Sequence, residues 1–193
     1  MTDVLKALFV QTIVAPADAA RMLMGLGLRR ETGWTILVLA CVLNTLAYFV
    51  STTLFPIPPE FSLPLLASPG LVLVLLFSVM VVTVFMLFWT GRALKGTAAF
   101  GDILIMIGWL QFMRLAVQVV ALVLMIILPG VAGLFAMATG LYGIWILVNF
   151  VNVAHGFDAL GKSFLMLVLS VLGMTMGLSV ILSLIGVTAI GIL

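Results

Sequence analysis

Charge is scarce in this sequence. Only 7% of its 193 residues are Asp, Glu, Lys or Arg. Soluble globular domains carry about 25%, so that class is excluded. Cysteine is nearly absent: Cys41 stands alone inside an apolar run, so no disulfide can form within the chain. It is expected to pack as a small hydrophobe. One histidine and six acids leave little for catalysis to use. No HExxH, CxxC pair, GxSxG, Walker motif or GxGxxG after a strand occurs. No enzymatic activity and no cofactor are expected. Eight Lys and Arg, spread along the chain, are too few for a nucleic-acid surface. No strong internal repeat is visible, and an odd number of spans also makes a simple inverted-repeat transporter awkward.

What is there is apolar. Hydrophobic residues make up 65% of the chain and the mean hydropathy is +1.45. The apolar stretches are continuous rather than alternating, which favours membrane helices over a membrane barrel. The expected fold is all-α: a polytopic membrane protein with five transmembrane helices behind an N-terminal interfacial segment. The spans fall at about 34–55, 70–90, 102–128, 131–153 and 163–187. Runs of ~20–27 residues suit a ~30 Å hydrocarbon core at ~1.5 Å per residue. Five prolines between Phe55 and Gly70 break any helix there and make that stretch a loop.

Residues 1–32 read as a separate unit from the five-helix domain, 33–193. Leu5, Leu8, Phe9, Thr12 and Ile13 recur at helical spacing, and Pro16 suits the first turn of a second short helix. Both are expected to lie in the membrane interface as amphipathic helices. A cleaved signal peptide is disfavoured, because Asp3 spoils the basic start and Lys6 and Gln11 interrupt the apolar core.

The basic residues are segregated. Lys6, Arg21, Arg29 and Arg30 precede the first span, Arg92 and Lys95 follow the second, and Lys162 follows the fourth. Seven of the eight therefore fall on one side. The positive-inside rule places the N-terminus in the cytoplasm and the C-terminus outside or in a lumen.

The eighth basic residue is Arg114, inside span three. Gln111, Arg114 and Gln118, spaced by three and four, share one helical face. An arginine at the centre of a bilayer costs at least ~2.5–3.5 kcal/mol, so it is expected to face protein or a wet cavity. Asn44, Asn149 and Asn152 are the polar neighbours that could complete such a face. Two readings stay open: a structural pin held by acceptors, or a contact for an anionic group such as a lipid phosphate. The connector after span four holds His155, Gly156, Phe157, Asp158 and Lys162. His155 and Asp158 are too few for a closed metal site, and a histidine that shapes the turn is the simpler reading. Gly173 and Gly177 form a GxxxG pair in span five, where a neighbouring helix could approach closely. Ala132, Ala136 and Gly140 do the same in span four.

The layout resembles the Yip family of small membrane proteins, whose eukaryotic members were named for interacting with Ypt/Rab GTPases. The similar segments are PADAARML before span one, the connector GRALKGTAAFGDILIMIGW, Pro129 at the end of span three, and LYGIWILVNFVNVAHGFDALGK at the end of span four. The chain looks most like compact bacterial members, which implies a bacterial inner membrane. The long N-terminal region and DLYGP-type motif of the eukaryotic members are absent from these residues, so GTPase binding is not carried over. The resemblance implies a non-enzymatic role in membrane organisation or a trafficking-like process. Membrane lipids, protein partners or a second copy of the chain are the implied partners. The alternative is a small transporter, channel or lipid-moving protein that uses the polar face around Arg114.

Overall fold

A computed structural model describes residues 2–58, 60 and 63–184. Two short helices, α1 (Thr2–Val14) and α2 (Pro16–Gly25), precede five long ones. These are α3 (Arg30–Leu54), α4 (Pro69–Ala93), α5 (Phe100–Ile127), α6 (Pro129–His155) and α7 (Leu160–Leu184). All five are long and apolar enough to cross a membrane. The fold is an all-helical integral membrane bundle. The expected end of span five at Val187 and the tail after it lie outside the described residues.

The helix boundaries follow local chemistry. Pro16, Pro69 and Pro129 each begin a helix, where the missing N–H costs nothing. Pro129 was expected to end span three. It opens α6 instead, and the chain turns at the single residue Leu128, whose N–H still donates to the Leu124 carbonyl at 2.7 Å. A second one-residue break at Ala15 (φ −142°, ψ 73°) separates α1 from α2. Among its described residues the proline-rich loop holds a short 3-10 turn, Pro64–Ala67.

Helix α5 is the hub. It packs on α3 most extensively, and also on α6, α4 and α2. Glycine allows the α3–α5 approach. A Cβ on Gly108 would lie 2.6 Å from Ile36 Cγ2, and one on Gly33 would lie 3.0 Å from Leu104 Cδ2. Lipid supplies no hydrophobic drive between helices, so close packing across small residues has to hold them together. The buried side chains cluster toward the end where Arg30, Ala93, Phe100 and His155 lie, here called the charged end. They include Leu37, Val84, Leu87, Ile103, Met106, Phe150 and Met166.

Helix α2 buries Ala19, Ala20 and Leu23, and runs along α6. The two N-terminal helices are docked on the bundle. Trp109 Nε1 of α5 donates to Thr12 Oγ1 at 3.0 Å, and the Tyr142 hydroxyl of α6 donates to the Ile13 carbonyl at 2.6 Å.

Candidate functional site

The most constrained polar arrangement lies at the charged end, around His155. Helix α6 stops there because Gly156 takes a left-handed conformation (φ 62°, ψ 36°). The Gly156 N–H then donates to the Val153 carbonyl at 3.2 Å and the Phe157 N–H to Asn152 at 3.0 Å. This paired closure satisfies carbonyls that a helix end otherwise leaves open. The His155 carbonyl accepts from outside the helix. Thr97 donates to it twice, through its backbone N–H at 3.0 Å and its hydroxyl at 3.2 Å. The connector between α4 and α5 thus caps α6.

The imidazole completes the clasp. His155 is 1% exposed, and its Nδ1 donates to the Val151 carbonyl at 3.1 Å. A Cβ on Gly91 would sit 2.1 Å from Nε2, and one on Gly96 would sit 2.6 Å from Cδ2. Any side chain at either position would collide with the ring. The Gly96 N–H also donates to the Gly91 carbonyl at 2.7 Å, and Lys95 between them has φ 62°. Phe157 stacks on His155 with centroids 5.3 Å apart, and Lys162 Nζ lies 4.5 Å from the Phe157 centroid. Ser163 at the start of α7 donates to Asn152 Oδ1 at 2.8 Å. Three helices, α4, α6 and α7, and the connector between α4 and α5 are tied together within one turn of the histidine.

Asp158 is exposed while His155 is buried, so the pair does not converge. Among the described residues no three of His, Cys, Asp and Glu come together. The chemistry available here is packing and capping.

The face around Arg114 is divided. Asn44 Nδ2 donates to the Ala40 carbonyl at 2.8 Å and to the Gln111 carbonyl at 3.3 Å. Gln111 Nε2 contacts Met80 Sδ at 2.8 Å, and Gln118 Nε2 donates to Ser51 Oγ at 3.4 Å. Both glutamines therefore face α3 and α4. Arg114, expected to face protein or a wet cavity, is exposed on the bundle surface, and no ion pair involves it among the described residues. The cause is angular: at ~100° per residue Arg114 stands ~40–60° round the helix from the two glutamines, enough to leave the α3 contact. Asn149 bonds only within its own helix, to the Trp145 carbonyl at 2.8 Å, and Asn152 is held by Ser163. Five of the six polar residues make four separate contacts, Asn44 with Gln111, Gln118 with Ser51, Asn149 within its helix and Asn152 with Ser163, and are not joined in one network.

The glycine pair of α7 is loosely used. A Cβ on Gly173 would meet Met86 Sδ of α4 at 3.6 Å, an ordinary contact, and Gly177 has nothing within 4 Å. The tight approaches are at Gly33, Gly91, Gly96 and Gly108. Sequence reasoning quoted the glycines of the α4–α5 connector but gave them no partner. It passed over Trp109 and Tyr142 as docking groups.

No curated protein sequence and no solved structure matches the chain. The Yip1 domain family model matches residues 10–181. That range takes in α2, the four long helices that follow, most of α7, and both connectors that the His155 clasp joins. With nearly its whole length matched, the chain belongs to the Yip1 domain family of membrane proteins.

Proposed function

We propose that the protein is a non-enzymatic organiser of its membrane, working through lipid or protein partners, with its charged end in the cytoplasm of a bacterial cell. The observation that carries this reading is the clasp. It fixes the two connectors on one side and holds Arg92, Lys95 and Lys162 exposed beside Arg29 and Arg30. Basic groups near an anionic membrane surface attract it by about 1 kcal/mol each. A rigid basic rim suits anionic headgroups, or an acidic partner that docks beside them. Within the proposal, residues 1–32 are a distinct membrane-associated segment and 33–193 the five-helix domain.

The test is capture from native membranes into nanodiscs, followed by mass spectrometry of bound lipid and protein. Enrichment of anionic lipid or a specific protein is expected. Loss of that enrichment in Arg92→Ala/Lys95→Ala/Lys162→Ala would tie it to the rim. Finding neither lipid nor partner above the bulk membrane rejects the reading. Reporter fusions at the two ends test the orientation.

A second reading rests on the outward Arg114, near the middle of a membrane helix. It makes the protein a mover of lipid or small anions. Liposomes should then show flux that Arg114→Ala abolishes; flux unaffected by that change sinks it.

A further inference from the structure

We infer that α1 and α2 form a re-entrant hairpin that sits among the acyl chains of one leaflet, at the charged end, and not flat on the membrane surface. This is independent of which partner the basic rim binds. The depth of the turn comes from its two hydrogen bonds. Trp109, which holds Thr12, lies seven residues beyond Asp102, or about 10 Å below the charged level at 1.5 Å per residue. Tyr142, which holds the Ile13 carbonyl, lies thirteen residues before His155, or about 20 Å below it. Half of a hydrocarbon core is about 15 Å, so the break at Ala15 falls near mid-membrane. Helix α2 then climbs back, and Leu23 and Met24 share a recess with Asp102 and Ile105 at the charged level.

The polarity of α1 agrees. An in-plane helix turns a charged face to water. In the second half of α1 neither polar residue is fully outward: Gln11 is half-buried, and Thr12 is buried, its hydroxyl donating to the Leu8 carbonyl at 2.7 Å while accepting from Trp109. Phe9, Val10, Ile13 and Val14 point outward, with Val10 58% and Val14 76% exposed. The charges follow the same rule. Asp18 and Arg21 of α2 form the one ion pair among the described residues. Those two are the charges nearest the turn, where low dielectric makes an unpaired ion costly. The matching partner for the outward surface is hydrocarbon.

The test reads depth in the full chain in nanodiscs. Single cysteines replace Val14, Val10, Leu28 and Leu141 in a Cys41→Ala background, and each carries a fluorophore. Quenching is compared between lipids bearing nitroxides at the headgroup and on the acyl chain. Leu28 supplies the surface reference. Leu141, exposed on α6 about 21 Å from its charged end, supplies the deep one. The Val14 label is expected to match Leu141, with at least a severalfold preference for the acyl-chain quencher, and the Val10 label to read one turn shallower. A Val14 reading closer to Leu28 than to Leu141 overturns the inference, as does a Val10 label deeper than Val14. Two sites on one hairpin guard against a single label that disturbs its own surroundings.

Discussion

The two halves of the bundle are packed differently. Toward the charged end, α5 buries an unbroken run from Ile103 to Gly108, and α6 buries Phe150, Val151, Ala154 and His155. Toward the other end, α6 exposes Leu134, Met137 and Leu141, and a Cβ on Gly133, Gly140 or Gly143 would have nothing within 4 Å. The same largely apolar helices pass through both halves. Hydrophobicity therefore does not decide where the core lies. Three things favour the charged end: glycines that face a neighbour, connectors short enough to cap a helix, and two extra helices docked on that half. Among the described residues the open half has only the long proline-rich loop and the turn at Leu128.

The strongest way to break this comparison is a cavity in each half. Phe150→Ala in the packed half should cost about 3 kcal/mol, the low end for such a change, because part of the transfer term vanishes when the alternative environment is lipid. Leu141→Ala in the open half should change stability by less than about 0.5 kcal/mol. Reversible unfolding in mixed micelles checks both, and equal losses would mean that the halves are not distinct.

Adding a methyl asks the same question with the opposite sign. Gly91→Ala or Gly96→Ala drives a Cβ into the His155 ring and should cost about 1–3 kcal/mol. Gly140→Ala and Gly143→Ala meet open space, and should be neutral or stabilise by up to about 1 kcal/mol, since alanine is the better helix former. Pairing Gly91→Ala with His155→Ala should recover part of the loss, because the two residues compete for one volume.

A smaller effect sharpens the role of the N-terminal hairpin. Tyr142→Phe removes one hydrogen bond and Thr12→Val two, one of them internal to α1, each worth about 0.5–1.5 kcal/mol. Amide exchange in α1 and α2 should rise in either variant while α3 and α5 stay protected. The smallest effect is expected at Arg114. With its side chain exposed, Arg114→Ala should leave bundle stability within about 0.5 kcal/mol of the parent. A large loss would mean that a second copy or a tightly held lipid covers it.

The span count, the helix opened by Pro16 and the segregation of charge were all legible in advance. The two connectors stood out in the sequence, but nothing in it said that they touch. The GxxxG spacing at Gly173 and Gly177 does not by itself say where a neighbour is: Gly173 meets Met86, while Gly177 has nothing within 4 Å. The side to which Arg114 turns was not legible either, because sharing a helical face with two glutamines still allows a residue to stand at its edge.

The sequence alone therefore determined the number, length and polarity of the helices. A membrane helix satisfies its backbone within its own segment, so an apolar run of sufficient length is enough to define it. Only the tertiary structure decided which glycines are essential, where the N-terminal helices go and which way Arg114 turns. Those outcomes depend on pairs far apart in the chain, such as Thr12 with Trp109, Tyr142 with Ile13, and His155 with Gly91. Contact between such pairs is a property of how helices cross, and no local pattern carries it.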